Sequence, residues 1–455
     1  MSLYHALKAF SQKDRIRFHI PGHKGGRGLD AAWARDAFSL DVTEFDETDD
    51  LQHPSGILKE AQESAAKAFG AGHTFYLTNG STLGLQTAVL AACKEGQALL
   101  VDRTCHKSVI SALILAGVTP VFLSPVFDRE RGLYTGFFKD QVVQALHEHP
   151  DIAGMLLVSP TYYGICTPLS EIADLLHRNQ KILIVDEAHG AHFCFDPAFP
   201  PSALSQGADL VIQSAHKTLP ALGQCSLLHL GANSSIAPKT VSDALYLLQT
   251  TSPSYLLMSS MEEAIFTMQE ADPTPLLRAI DRLKQAIRAR GTLDFADEGT
   301  LHRAQDPMRL VIDFRRSVYS GTEAAALLKQ RYGIYPEMAD FNTVVCILTV
   351  ADTAEDIAAL QRALTEIDAA AAAPKEQPLR PLPMPMPKMR CTPRAAFMAQ
   401  KETLPLADAL GRTAAQTISV CPPGAALTVP GQCVDEETLA FLQTETDTSE
   451  ITVIK

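Results

Sequence analysis

The sequence predicts an α/β fold built on a large, mostly parallel sheet, with smaller domains beside it. From about residue 56, short apolar runs alternate with helical stretches, and several of these runs end in polar, reactive side chains. Such alternation favours parallel strands with helices on both faces of the sheet. The expected strands are 73–77, 98–101, 120–123, 154–158, 181–185 and a run that starts at 211. The expected helices between them are 57–69, 83–94, 107–116, 140–149 and 168–177.

The later part of the chain predicts smaller units beside this sheet. An amphipathic helix at 276–290, with Leu277, Ile280, Leu283 and Ile287 on one stripe, precedes strands expected at 309–314 and 343–350. A proline-rich stretch then predicts an extended linker. The predicted organisation is an N-terminal arm at 1–34, a large domain at 35–270, a small α/β domain at 271–370, a linker at 371–390 and a C-terminal α+β domain at 391–455.

Composition limits the class of protein. A chain of 455 residues with 46% hydrophobic and 20% charged residues is typical of an ordinary globular protein with two or three domains. The net charge of −13 argues against a nucleic-acid partner. Nine cysteines, an odd number without a Cys-x-x-Cys pair, favour reduced thiols in the cytoplasm. We expect no signal peptide and no membrane partner, because no apolar run is long enough.

A lysine and an aspartate follow two of the predicted strands. Lys217 comes after the run at 211–213, and Asp186 directly follows 181–185. In open α/β sheets, ligands bind beyond the carboxyl ends of the strands. This pair suits pyridoxal 5'-phosphate, because the lysine can form an imine with the aldehyde and the aspartate can pair with the pyridine nitrogen. The alternatives are an exposed loop lysine and an aspartate that caps a helix or, with His189 and His192, binds a metal. We expect no metal site.

A third strand end predicts an anion site. Gly80, Ser81 and Thr82 follow strand 73–77 and begin a helix, where hydroxyls and unpaired N–H groups can hold a phosphate. An ordinary helix cap without a ligand is the alternative. His106, after strand 98–101, could stack on a cofactor ring or satisfy the backbone at a helix start. The loop at 159–164 could contact the ligand or serve as a turn. We interpret the acidic stretch 41–50 mainly as solvated surface.

Taken together, the motifs resemble those of the Orn/Lys/Arg decarboxylase family, in its short form without an N-terminal wing domain. That family is a branch of the fold type I pyridoxal-phosphate enzymes, so the resemblance implies a fold type I, transferase-like large domain. The segments that carry the resemblance are FHIPGHKGG (18–26), DDLQHP (49–54), TNGST (78–82), DRTCHKS (102–108), VDEAHGAHF (185–193), SAHK (214–217), CPPG (421–424) and VPGQ (429–432). The combination spans nearly the whole chain and is far more specific than any one segment.

The resemblance implies roles for particular residues. It implies that Lys217 binds the cofactor covalently, that Asp186 pairs with its ring nitrogen, and that His106 and Ala188 lie on opposite faces of the ring. The residues implied in cofactor binding are Gly80, Ser81, Thr82, His106, Asp186, Ala188, His189, Ser214, His216 and Lys217, and those implied in catalysis are Lys217, Asp186, His106 and His216. Lys217 and His216 are the two candidates for the acid that protonates the α-carbon.

The resemblance also implies an activity. We expect decarboxylation of arginine, lysine or ornithine to the corresponding amine and carbon dioxide, a reaction of polyamine biosynthesis. We expect a homodimer or larger assembly with shared active sites, and the segment 251–255 resembles one that reaches a neighbouring subunit. An aminotransferase or β-eliminating lyase remains an alternative, because one fold serves several chemistries.

Two positions depart from the family's pattern. Cys421 stands where an aromatic residue is usual, and Gln432 where glutamate is usual. These departures leave the choice of amino acid open and keep a non-catalytic, cofactor-binding protein as a further alternative. The group that holds the substrate α-carboxylate is also open, with Arg394 one candidate among many.

Overall fold

A computed structural model describes residues 2–13, 15–369, 382–420 and 424–455. The strands are β1 (Ile16–Phe18), β2 (His73–Leu77), β3 (Ala98–Asp102), β4 (Thr119–Leu123), β5 (Phe127–Asp128), β6 (Leu133–Tyr134), β7 (Gly154–Val158), β8 (Ile182–Asp186), β9 (Leu210–Gln213), β10 (Ser226–Leu230), β11 (Asp294–Phe295), β12 (Arg309–Asp313), β13 (Ile334–Pro336), β14 (Met338–Ala339), β15 (Thr343–Ile347), β16 (Lys401–Pro405) and β17 (Glu450–Ile454). The helices are α1 (Leu3–Ser11), α2 (Ala31–Asp36), α3 (Ile57–Phe69), α4 (Gly80–Ala92), α5 (Lys107–Ala116), α6 (Lys139–Glu148), α7 (Ser170–Arg178), α8 (Ala215–Thr218), α9 (Pro238–Leu248), α10 (Tyr255–Glu270), α11 (Thr274–Arg288), α12 (Glu298–Leu301), α13 (Gly321–Tyr332), α14 (Ala354–Ala369), α15 (Pro393–Met398) and α16 (Glu436–Glu445).

The centre of the fold is a seven-stranded sheet with strand order β2-β10-β9-β8-β7-β3-β4. The five strands from β9 to β4 run parallel, and β10 is antiparallel to both of its neighbours. The predicted mostly parallel α/β class is therefore confirmed. The buried strands are rich in leucine, isoleucine and valine because helices cover both faces of the sheet.

A second sheet uses a separate stretch of chain. Its order is β11-β12-β15-β14, and its pairs are antiparallel. The amphipathic helix predicted at 276–290 is α11, which packs on this sheet through Leu276, Ile280, Leu283 and Ile287. Leu277, which we placed on the buried stripe, is only partly buried. The two sheets agree with a division near residue 270, although the domain limits themselves stay a prediction.

The N-terminal arm is tied to both parts of the chain. Strand β1 pairs in parallel with β13. The glycine-rich loop, expected to lack regular structure, includes a 3-10 turn at Lys24–Gly26. Buried Lys24 donates to the carbonyls of His19 and Ile347 at 3.0 and 2.8 Å, and the Gly22 amide donates to the His216 carbonyl at 2.8 Å. The arm therefore supports the short helix that carries Lys217.

The C-terminal region has its own small core around β16, β17 and α16. Most of the predicted linker, residues 371–381, lies outside the described residues, and 382–388 have no regular secondary structure. The eight cysteines described are unpaired thiols. Within the described ranges, no helix is long and apolar enough to cross a membrane.

Candidate active site

A cavity of about 690 Å³ opens at the carboxyl edge of the large sheet. All of the residues predicted for cofactor binding and catalysis line it: Gly80, Ser81, Thr82, His106, Asp186, Ala188, His189, Ser214, His216 and Lys217. They come from four separate loops, and the sheet brings those loops together because parallel strands end at one edge. The structure thus places the predicted residues around one space, and their roles in cofactor binding stay proposals.

Lys217 lies on α8, a single helical turn that begins directly after β9 and Ser214. Its Nζ is 3.0 Å from Nε2 of His189. His189 follows β8, the neighbouring strand, by three residues. The lysine therefore points along the edge of the sheet into the cavity rather than into solvent.

Asp186 is the last residue of β8 and is almost completely buried. Burial raises the pKa of its carboxyl group, and Lys217 opposes that rise when its amine is protonated. The Ala188 amide donates to Oδ1 at 3.2 Å. A buried carboxylate with a raised pKa gains stability from a cationic partner, so Asp186 fits the pyridine nitrogen of the cofactor in its protonated form.

The start of α4 has the chemistry of a phosphate site. Gly80 adopts a positive φ of 74° that lets the chain turn from β2 into the helix. Asn79, the N-cap residue, makes no side-chain capping bond. The Ser81 hydroxyl lies 2.7 Å from that of Ser214 and 3.1 Å from that of Ser226. Helix N–H groups and a cluster of hydroxyls are donors that a phosphate accepts from, so this end fits pyridoxal phosphate.

The structure confirms one of the two interpretations of His106, the helix-start role, and the other, stacking on a cofactor ring, stays a prediction. His106 is the N-cap of α5, and its Nδ1 accepts from the Ser108 amide at 3.2 Å. It also lines the cavity. Gly424 of the C-terminal region packs against the ring, because a Cβ there would lie 2.5 Å from His106 Cδ2. Burial lowers the pKa of His106 to about 4, so the ring is neutral at pH 7.

His216, one of the two candidate acids, is held by its backbone neighbours. Its Nδ1 lies 3.0 Å from the Cys225 carbonyl and must carry a proton to donate to it. Burial lowers the pKa of the ring to about 4. At neutral pH its Nε2 therefore carries no proton to give.

Sequence reasoning missed several residues at the site. Ser226 joins the hydroxyl cluster from β10, which we did not predict. Arg309, from the second sheet, donates to Nδ1 of His189 at 3.0 Å. Asp102, the last residue of β3, is buried and accepts from the Thr104 hydroxyl at 2.7 Å. Burial raises the pKa of its carboxyl group to about 6. No sequence signal for Arg309 exists, because it lies 120 positions from His189.

Other predicted contacts are absent from the cavity. The prediction that Arg394 could hold the substrate α-carboxylate is wrong, because its guanidinium donates to the Ile114 carbonyl and pairs with Glu95. His192 pairs instead with Asp306 at 3.1 Å. Among the residues described, no group of three His, Cys, Asp or Glu side chains could hold a metal ion.

The acidic stretch contains one buried residue. The Asp49 carboxylate accepts from the backbone amides of Ser55, Gly56 and Leu58 at the start of α3. Burial by itself would raise its pKa, but these amides outweigh burial and hold the pKa at about 2. Asp49 therefore anchors a helix, which the interpretation of this stretch as solvated surface did not foresee.

The two departures from the family pattern have different outcomes. Gln432 is completely buried, accepts from the Val429 amide at 3.1 Å and donates to the Thr438 hydroxyl at 3.2 Å. It supports the C-terminal fold. Cys421 lies outside the described residues.

The sheet, the lysine and aspartate at neighbouring strand ends, and the hydroxyl-rich turn at the start of α4 together fit a pyridoxal-phosphate enzyme of fold type I. The family model for the Orn/Lys/Arg decarboxylase major domain matches residues 1–314. This chain belongs to that family, whose members depend on pyridoxal phosphate.

Relatives named arginine decarboxylase match almost the whole chain. The protein from Halalkalibacterium halodurans is 35% identical over 97% of this chain and 92% of the relative, and that from Bacillus subtilis is 34% identical over the same shares. The constitutive lysine decarboxylase of Escherichia coli has a solved structure with a TM-score of 0.76 at 20% identity, covering 99% of this chain and 81% of that one. An alanine–glyoxylate aminotransferase from Nostoc sp. aligns with a TM-score of 0.59 at 14% identity over 78% of this chain and 95% of its own, and shares the fold alone.

Proposed function

We propose that this protein is a pyridoxal-phosphate-dependent decarboxylase of basic amino acids and that arginine is its preferred substrate. One observation carries the proposal: Lys217, Asp186 and the Ser81 hydroxyl cluster line the same cavity. The names of the relatives support decarboxylation, and those that match most of the chain favour arginine. The relationship to aminotransferases is limited to the fold.

The donor set assigns each end of the cofactor to a group of residues. Gly80, Ser81, Thr82, Ser214 and His216 would hold the phosphate, and Asp186 would face the ring nitrogen. Ala188 and His106 would lie on opposite faces of the ring, with His189 beside Lys217. When bound, pyridoxal phosphate supplies an electron-withdrawing ring that stabilises the negative charge left on the α-carbon when carbon dioxide departs.

The residues of the chain bind, orient and transfer protons around that ring. Lys217 would hold the cofactor through its amine until the substrate amine takes its place. Because Nδ1 of His216 is fixed to a carbonyl and its pKa is about 4, His216 is a poor proton donor at neutral pH. We therefore favour Lys217 as the group that would return a proton to the α-carbon, after it has taken up the proton that the incoming substrate ammonium group gives up.

The charges of the cavity wall support a cationic substrate. Asp340 and Glu445 line the cavity in addition to Asp186, while Lys217 is the only lysine or arginine among the lining residues that the structure describes. Carboxylates beyond those needed for the cofactor can attract the guanidinium or ammonium group of a basic side chain.

A direct assay tests this proposal. The purified protein with pyridoxal phosphate is incubated separately with arginine, lysine and ornithine, and amine and carbon dioxide are measured. We expect arginine to react fastest and Lys217→Ala to lose activity, while Lys239→Ala, at an exposed position, retains it. A keto acid product, or undiminished activity in Lys217→Ala, would refute the proposal.

We further propose that the protein works in the cytoplasm as a homodimer. Thiols without disulfides favour a reducing compartment. Several large apolar side chains are exposed on one chain, among them Phe38 and Leu247, and a partner subunit would cover such groups. Light scattering after size-exclusion chromatography should give twice the chain mass, and a monomer that is fully active would contradict the shared site.

A further inference from the structure

We propose that Arg309 is a positioning residue that fixes the tautomer of His189 and thereby keeps the amine of Lys217 neutral. The inference deepens the proposed function and rests on it, because it concerns the lysine that would bind the cofactor. Arg309 is the first residue of β12 and is 1% exposed. Its side chain reaches from the four-stranded sheet to the wall behind the cavity.

The guanidinium of Arg309 is oriented by two bonds to the active-site wall. Nη2 donates to Nδ1 of His189 at 3.0 Å, and Nη1 donates to the Tyr162 carbonyl at 3.2 Å. The rings of Tyr162 and His189 meet edge to face, with their centroids 4.8 Å apart. In the part of the chain that the structure describes, Nε of Arg309 has no hydrogen-bond partner. The guanidinium is therefore aimed at His189 while one of its own donors stays unsatisfied, which is costly in a buried site.

This contact determines which nitrogen of His189 carries the proton. A guanidinium has five N–H donors and no acceptor, so Nδ1 must offer its lone pair. Burial and the positive charge of Arg309 hold the pKa of His189 well below its ordinary value, and the ring is neutral. The single ring proton is then on Nε2, the nitrogen that lies 3.0 Å from Nζ of Lys217.

The tautomer in turn determines the charge state of Lys217. An ammonium group also has only donors, so Nε2–H and a charged Lys217 could not share a hydrogen bond. The contact forms when Nζ is a neutral amine that accepts, and this is the form that attacks an aldehyde. The fixed positive charge of Arg309 opposes a second positive charge at this position, and Asp186 favours one. Arg309 thus offsets the effect of Asp186, which stabilises the protonated form of Lys217.

The competing explanation is that Arg309 merely ties the two sheets together. That role would require its bulk and its bond to Tyr162, but not its effect on His189. The two explanations differ in what they predict for Lys217 when the protein stays folded.

The first experiment measures the reactivity of Lys217 in the full-length chain freed of cofactor. Acylation of Lys217 by limiting acetic anhydride is followed against pH by mass spectrometry, with Lys239 as the exposed reference in the same sample. We expect Arg309→Met to raise the apparent pKa of Lys217 by about one unit or more, the range of effect for a nearby charge. Arg309→Lys, which keeps a donor-only cation, should retain most of the low value.

An unchanged Lys217 pKa in folded Arg309→Met would overturn the inference. If that variant does not fold, nitrogen NMR of wild-type protein with labelled histidine tests the tautomer without any substitution, with His189→Gln used for assignment. A proton on Nε2 alone is expected, and a proton on Nδ1 would overturn it. Neither measurement uses turnover, so failure here is distinguishable from failure of the decarboxylation assay.

Discussion

Three histidines surround Lys217, and burial lowers the pKa of each one. His106 and His216 have pKa values of about 4, and His189 lies well below its ordinary value. The same burial that excludes water also places the rings close to the amine of Lys217, with His189 Nε2 at 3.0 Å from Nζ. At neutral pH these rings therefore act as fixed, uncharged hydrogen-bonding and stacking groups rather than as acids.

The contact between His106 and Gly424 gives a prediction at the scale of one residue. Gly424→Ala puts a Cβ within 2.5 Å of the His106 ring at a backbone φ of 78°, so the ring must move. We expect weaker retention of pyridoxal phosphate, measured by absorbance after dialysis. Gly411→Ala is the matched control, since its φ is 76° with nothing within 4 Å. Both variants should lose about 1 kcal/mol of stability, and equal cofactor loss in both would contradict the account.

The residues that sequence reasoning found at the site share a local signature. Lys217, Asp186 and Ser81 each follow a recognisable apolar strand, and parallel topology then brings strand ends together. Arg309 and Ser226 have no such signature. Arg309 begins a strand of another sheet, and Ser226 belongs to an antiparallel strand, so only the three-dimensional packing places them at the site.

A buried hydrogen-bonded chain crosses four strands of the large sheet. Glu187, directly after β8, accepts from Gln213 of β9 at 2.7 Å. His229 of β10 lies 3.0 Å from Gln213 Oε1 and 2.8 Å from the Thr74 hydroxyl of β2. These hydrogen bonds connect β2, at one edge of the sheet, to Glu187, the residue that follows Asp186. They therefore fix the register of the strands that position the cofactor.

The buried His229 in this row of hydrogen bonds predicts that the protein loses stability in acid. Burial lowers the pKa of His229 from 6.5 to about 3, so between these values the unfolded chain binds a proton that the folded one does not. Its contribution to stability is complete above pH 6.5 and falls as pH decreases, by up to about 1.4 kcal/mol per pH unit. His229→Leu should flatten the acid slope of the urea midpoint, although it should also cost about 1–3 kcal/mol at pH 7 through unpaired polar groups.

Exposed His147 on α6 provides the control for this prediction. His147→Leu should keep the acid slope of the wild-type protein. If His229→Leu leaves the acid slope of the urea midpoint unchanged, protonation of the buried imidazole does not cause the loss of stability in acid.

At the scale of elements, the sequence predicted those with strong periodicity. Helices α3, α5 and α11 and the parallel strands from β3 to β9 lie where their apolar patterns indicated, within a few residues. Strand β10 and helices α9 and α10 were not predicted. Strand β10 contains buried Ser226 and His229, whose polarity makes sense only beside the partners that the folded sheet supplies.

At the scale of the whole molecule, Arg103 joins the C-terminal region to the large sheet. It is completely buried after β3 and donates to the carbonyls of Pro385, Ala426 and Leu427 at 2.8, 2.6 and 2.9 Å. Through these bonds the C-terminal region is held over His106 and completes the wall of the cavity. Deletion of the C-terminal region should therefore damage the site as well as the fold.

Loss of the Arg103 clamp should release the C-terminal region. Arg103→Met leaves three buried carbonyls without their donor, and we expect limited proteolysis to cleave within 382–455 several times faster. Arg394→Met removes a partly exposed guanidinium from the same interface and should have a smaller effect. Equal cleavage rates in the two variants would mean that the buried contact does not hold the region in place.

The central claim is that Lys217 is the residue to which the cofactor attaches. Reduction of the purified protein with sodium borohydride makes that attachment permanent, and peptide mass spectrometry then locates it. We predict a single pyridoxyl group on the peptide that contains Lys217. A label on another lysine, such as buried Lys24 or exposed Lys107 beside the cavity, would contradict the account.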